Sequence, residues 1–306
     1  MASLTTSTRG LSSHAACCQV AMLLAVVLLP PVAVVHGSSG SAPAEYEGIS
    51  AVFMFGDSIV DPGNNNHRLT EAKANFPPYG QDFPGGVATG RFSNGLVPGD
   101  LLASKLGVKE LLPPYLSDNL QQNDLLTGVA FASGGSGYDP LTSTLSTARS
   151  SAEQLELFHD YKEKLATLVG EEEMTRVISH AVFFTIMGAN DIVNNYFAVP
   201  LRRHEYDLDS YMDFLVSSAI NFTTTLNDMG AKKIGIAGVP PLGCCFKEVS
   251  EGCCGSTVLS AAVFIAYHNA CPNANDYIFW DGFHPTERAY NIVVDKLIKQ
   301  NKKYLV

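Results

Sequence analysis

Ile49-Ser50-Ala51-Val52-Phe53-Met54-Phe55-Gly56-Asp57-Ser58 is the stretch from which the architecture follows. A short apolar run that stops at a glycine fits a strand buried on both faces. Asp61-Pro62-Gly63-Asn64-Asn65-Asn66 then forces irregular backbone. Three later runs read as strands in the same way: Gly128 to Ala132, closed by Ser133-Gly134-Gly135-Ser136-Gly137; Ala181 to Met187, ending at Gly188; and Lys233 to Val239, stopped by Pro240-Pro241. Helical stripes lie between and around them. Pro98 to Leu106 is short, Ser151 to Val169 carries Leu155, Phe158, Tyr161, Leu165 and Leu168 on one side, and Asp209 to Met229 does the same with Tyr211, Phe214, Leu215, Phe222 and Leu226. Pro285 opens a last helix through about Gln300, with its proline in the first turn. Strands alternating with helices imply an α/β fold, a parallel sheet covered on both faces.

The 306 residues show no internal repeat and no low-complexity linker after residue 48, so residues 38–306 read as a single domain. A 46% hydrophobic and 16% charged composition suits a well-buried enzyme. The net charge is −10 and the basic residues do not cluster, which argues against a nucleic-acid partner. Residues 1–37 read as a secretory signal: Arg9 is the only charge before Glu45, and Val20 to Val35 is apolar up to a plausible cut after Gly37. Those sixteen residues, interrupted by Pro30-Pro31, fall short of the ~20 needed to span a bilayer, so no stable membrane span is expected. Cleavage would remove Cys17 and Cys18 and leave Cys244, Cys245, Cys253, Cys254 and Cys271. Disulfides are the first reading in an oxidising compartment, zinc the alternative, and an odd count leaves one thiol without an internal partner. Asn221-Phe222-Thr223 is a glycosylation sequon on an expected helix.

In open parallel sheets ligands bind beyond the carboxyl ends of the strands. Gly56-Asp57-Ser58 and Gly188-Ala189-Asn190-Asp191 both stand at such ends, so both should open onto one edge. Ser58 is the candidate nucleophile, His284 its base, and Asp281, three residues upstream, the group that orients the base. Gly95 of Arg91-Phe92-Ser93-Asn94-Gly95 and Asn190 are the candidate oxyanion donors, beside the Ser58 backbone N–H. Plainer readings stand beside these. Asp281 and His284 before a proline-led helix also make a cap, Gly95 a turn, and Asn190 a helix cap, while Asp57 and Asp191 suit turn-holding. His67, His159, His180, His204 and His268 lack a paired acid and read as surface or packing residues. No metal-binding motif is present, and neither metal nor cofactor is called for.

With Phe-Gly-Asp-Ser, Gly-Arg-Phe-Ser-Asn-Gly, Gly-Ala-Asn-Asp and Asp-Gly-Phe-His-Pro-Thr-Glu in series, the chain resembles the plant GDSL esterase/lipase family of the SGNH hydrolase superfamily. The likeness runs from about Ile49 to the C-terminus and takes in Gly238-Val239-Pro240-Pro241-Leu242-Gly243 and Ala266-Tyr267-His268. It implies a flavodoxin-like three-layer α/β/α fold and hydrolysis of carboxylic esters, small or polymeric, outside the cell in the wall or apoplast. It also implies that Ser58, Gly95, Asn190 and His284 are the four name-giving residues and that Asp281 completes the triad. Acyl transfer to an alcohol, or an inert variant with a binding role, are the alternatives. Relatives carry several dozen residues where only Cys245 to Val249 stand here. The shortened chain should therefore lack the last strand and a helix, expose a sheet edge, and deprive the Asp281 loop of its anchoring strand.

Overall fold

The structure, a computed structural model, describes residues 46, 48–199, 201–238, 246–254 and 270–305. The expected leader, Cys244, Cys245 and His268 lie outside them. In chain order the elements are β1 (Val52–Gly56), α1 (Pro98–Lys105), α2 (Gln122–Thr127), α3 (Pro140–Leu145), α4 (Ser151–Val169), α5 (Glu171–His180) and β2 (Val182–Ile186). A π-helical segment (Asp191–Ala198), α6 (Leu201–Glu205), α7 (Leu208–Asp228), β3 (Lys233–Ala237), β4 (Glu248–Gly252), β5 (Tyr277–Phe279) and α8 (Glu287–Leu305) follow.

β1, β2 and β3 form one parallel sheet in that order, with Phe53 opposite Phe183 and Phe183 opposite Ile234. The Gly128–Ala132 run lies along the other side of β1, donating from Phe131 N to Met54 O (2.7 Å) and from Ser133 N to Gly56 O (3.0 Å). Its ladder is too short to count as a full strand; only Ala130 bridges Met54.

Strand periodicity sorts the side chains into two cores. Phe53, Phe55, Phe183 and Ile234 face one side and pack on Phe158, Tyr161 and Leu165 of α4, Val177 and Ile178 of α5, and Tyr211, Phe222 and Leu226 of α7. Val52, Met54, Val182, Phe184 and Ala237 face the other and meet Leu101 and Leu102 of α1 and Tyr290, Val294 and Leu297 of α8. These are three layers, α/β/α. Rings dominate the first core: Phe53 lies 4.9 Å from Phe183 and 5.1 Å from Tyr161 between centroids.

The short elements α2, α3, α6 and the π-helical segment, and with them α5, β4 and β5, are not evident in the sequence. α5 begins on Glu171-Glu172-Glu173, where three acids look like a solvated loop but also complement the positive end of a helix. Glu248–Gly252, poor in strand-forming residues, pairs in parallel with Tyr277–Phe279 as a separate two-stranded sheet. The Asp281 loop, expected to lack a strand ahead of it, is thus entered from β5. On the main sheet β3 has no second neighbour among the described residues, in keeping with an exposed edge.

The Arg91 segment is tied into this frame by a buried pair. Arg91 forks onto Asp100 of α1 (Nε to Oδ2 2.8 Å, Nη2 to Oδ1 2.7 Å), and the same carboxylate accepts from Val97 N and Leu112 N. With every lone-pair direction used, the pair holds the loop over the carboxyl ends of the strands.

Candidate active site

The turn after β1 presents Ser58. Gly56 has φ +146°, and a Cβ there would stand 2.0 Å from Ile186 O, so only glycine lets β1 turn this tightly against β2. Gln154 of α4, fully buried, grips the same residue from below: it accepts from Gly56 N and donates to Gly56 O, both at 2.9 Å. Asp57 Oδ1 accepts from Ile59 N at 3.0 Å and holds the turn, as expected of it. Its Oδ2 finds no partner, and burial pushes its carboxyl up to about 7.

The opposite wall comes from the far end of the chain. Asp281 Oδ1 accepts from Phe283 N (2.7 Å) and His284 N (2.6 Å), while Oδ2 meets His284 Nδ1 at 2.7 Å. A carboxylate only accepts, so Nδ1 is the protonated nitrogen and Nε2 is left as the acceptor. His284 Nε2 stands 2.7 Å from Ser58 Oγ. Burial works against the Asp281 anion, but the His284 imidazole, the Tyr79 O–H and the His284 N–H outweigh it and hold the carboxyl below its ordinary value. Tyr79 donates to Oδ2 at 2.6 Å, and the Phe92 ring faces the imidazole at 4.7 Å. A disulfide between Cys253 and Cys271 stands just ahead of this loop, where Cys253 N donates to Phe279 O and Cys254 N to Trp280 O. Cys254 is a free, buried thiol.

The oxyanion candidates divide. Asn190 lines the cleft beside Ser58; its Nδ2 gives one hydrogen to Ser136 O (2.9 Å) and has a second to offer, while Oδ1 accepts from Asn194. Asp191 accepts from Tyr138 N, Asp139 N and Thr142 Oγ1, a turn-holding part, and burial pushes it up to about 6. Gly95 is elsewhere. It does not line the cleft, and its N–H is engaged by Ser93 Oγ at 3.2 Å. What its missing Cβ admits is the Glu287 carboxylate, which would lie 1.9 Å from that atom.

Glu287 accepts from Leu96 N at 3.0 Å, and its own N–H donates to Asn94 Oδ1 at 2.8 Å, so this segment clamps the start of α8 behind His284. The glycine that does line the cleft is Gly135, at the end of the Gly128–Ala132 run. Among the described residues, neither its N–H nor that of Ser58 donates to another protein group. The rule that places Ser58 and Asn190 at strand ends applies equally to Ser133-Gly134-Gly135, whose serine and glycines also fit a plain strand terminator. Gly95→Ala is expected to push Glu287 off Leu96 N and cost about 1–3 kcal/mol, read as a lower denaturant midpoint with an unchanged slope.

The cleft has a volume of about 760 Å³. Phe76, Leu145, Val199 and Phe283 make its walls apolar, with Ser58 at the base and Leu69, 93% exposed, at the mouth. Of the other histidines, His67, His159 and His204 are exposed and His180 is half-buried.

Residues 52–262 match the family model for GDSL-like lipase/acylhydrolase, a span that takes in Ser58 and Asn190 and ends ahead of Asp281. The chain is 38% identical to the GDSL esterase/lipase At3g43570 of Arabidopsis thaliana over 322 residues, 93% of this chain and 99% of the relative. It is also 38% identical to At5g42170 of the same plant over 317 residues, covering 82% and 85%. With At1g59030 the identity is 35% over 351 residues, covering 93% and 99%. That last alignment is longer than the whole 306-residue chain, so the relative carries stretches this one lacks.

Proposed function

Because the chain belongs to the GDSL-like lipase/acylhydrolase family, whose members are carboxylic ester hydrolases, we propose that it cleaves esters through an acyl-enzyme on Ser58. The 2.7 Å contact between Ser58 Oγ and His284 Nε2 carries this reading. The hydroxyl proton passes to Nε2 as Oγ bonds to the ester carbonyl carbon, and the carbonyl oxygen becomes an oxyanion. The N–H groups of Ser58 and Gly135 and the spare hydrogen on Asn190 Nδ2, all on residues that line the cleft, would serve as its donors. Collapse expels the alcohol, which takes the proton from Nε2. Water, deprotonated by His284 in turn, attacks the acyl group and frees the acid and Ser58. Asp281 stays ionised throughout and supports the imidazolium.

The apolar walls favour an aliphatic or aromatic acyl group over a charged one. The Cys253–Cys271 disulfide suits a secreted enzyme, in line with the leader-like residues 1–37.

The test is a fluorophosphonate probe followed by peptide mapping. Stoichiometric, activity-abolishing modification of Ser58 is the expected result; ester cleavage that survives the probe would reject the assignment. Asn190→Ala is expected to lower kcat about 10²–10³-fold with little change in KM, because its donor acts on the oxyanion and not on the bound ester.

A further inference from the structure

Asp281 receives four hydrogen bonds, and one of them comes from a side chain that no sequence motif singled out. We propose that Tyr79 is a positioning residue for the hydrolysis: its O–H fixes the Asp281 carboxylate and, through it, the imidazole that takes the Ser58 proton. The inference rests on the Ser58 reading above and deepens it.

The geometry is specific. Tyr79 O–H and His284 Nδ1–H converge on one oxygen, Oδ2, at 2.6 and 2.7 Å. The other oxygen is taken by two backbone N–H groups, so the carboxylate cannot turn about its bond to Cβ without breaking a pair of hydrogen bonds. Tyr79 is itself well held. It is 4% exposed, its ring meets Phe76 edge-on at 5.4 Å and Phe92 at 6.0 Å, and Phe92 is the ring that faces His284. The next residue, Gly80, donates to Ser93 O at 3.0 Å, which joins the tyrosine segment to the segment that clamps α8. Burial and the nearby Asp281 raise the phenol far above its ordinary range, so it remains a donor wherever the enzyme works.

A donor on Oδ2 also draws charge away from the imidazole. Oδ2 divides its lone pairs between two partners, and a hydrogen bond to an ionised acceptor is among the stronger kinds. Without the phenol the carboxylate is more basic and supports the imidazolium better, so the acidic limb of the pH–rate profile moves to higher pH. The other ionisable groups around the pair are Asp57 from the β1 turn, Cys254 two residues past β4 and Tyr290 from α8. None of them is altered in Tyr79→Phe, so a displaced limb reports on Asp281.

For Tyr79→Phe with a short-chain ester, kcat should fall roughly tenfold, KM stay within about twofold, and the acidic limb of kcat/KM rise by about half to one pH unit. In an Asp281→Asn background the same change should cost less than about twofold, since the phenol acts through the carboxylate. A fluorinated tyrosine at position 79, which keeps the ring packing and is a stronger donor, should move the limb the opposite way. Independently of turnover, the low-field NMR resonance of the His284 Nδ1 proton should change position in both variants. A raised KM with an unmoved limb and resonance, or a full tenfold loss in the Asp281→Asn background, would overturn the proposal and leave Tyr79 as cleft lining. A wild type that cleaves no ester would sink the Ser58 reading instead, with the resonance still deciding for or against Tyr79.

Discussion

Ser58→Ala is expected to lower kcat for a short-chain chromogenic ester by about 10⁶-fold, and His284→Ala on top of it to cost almost nothing more. On the proposed mechanism Ser58 and His284 act in one event, the transfer of a proton across the 2.7 Å between Oγ and Nε2 as the carbon–oxygen bond forms. With no oxygen to attack the carbonyl, a base has nothing to activate. The proposed donors at Asn190 and Gly135 remain, so the double variant should keep a residual rate above that in water. Steady-state rates of the two single variants and the double variant measure this directly. If the losses multiply, the two side chains do not serve one step, and the proposed chemistry is wrong.

Asp281→Asn should cost about 10⁴-fold in kcat while leaving KM nearly unchanged. The size of the loss follows from the donors around the carboxylate. Oδ1 accepts from two backbone N–H groups, and Oδ2 accepts from the His284 ring and the Tyr79 O–H. An asparagine has one acceptor and one donor to fill those positions. Its NH₂ must therefore face two hydrogens whichever way the amide is turned. With NH₂ toward the ring, the imidazole is driven to its other tautomer and presents a hydrogen, not a lone pair, to Ser58. With NH₂ toward the backbone, the turn from Asp281 to His284 loses the bonds that shape it. Retention of a tenth or more of the activity at neutral pH would mean that the carboxylate is not needed.

What the sequence revealed, and what it hid, separates along the range of the interactions. β1, β2, β3, α4 and α7 stood out because burial leaves a local signature, an apolar run or a stripe at helical spacing. Ser58, Asp281, His284 and Asn190 stood out because the blocks around them are compact and ordered, and the structure brings all four into one cleft. Gly95 is not among the residues that line it. A glycine beside an asparagine in a motif says that the backbone or a neighbour comes close, not which neighbour, and here it is Glu287, 192 positions further on. Gln154 and Tyr79 were invisible for the same reason. Each earns its place through a contact across the fold, with Gly56 in one case and Asp281 in the other, while its own surroundings in the chain look like ordinary helix and loop. Gly135 was hidden differently, since the flanking glycines and serines are what any strand terminator looks like.

The bridge between Cys253 and Cys271, 18 positions apart, ties the chain just past β4 to the segment that runs through its partner strand β5 into the turn that carries Asp281. A bacterial cytosol, kept reducing by its thiol pools, is therefore a poor place to manufacture this enzyme. An exported preparation made under oxidising conditions is the material in which the turn would be held as described here. Mild dithiothreitol treatment of such a preparation, followed by an activity assay, would gauge how far turnover leans on that single covalent staple.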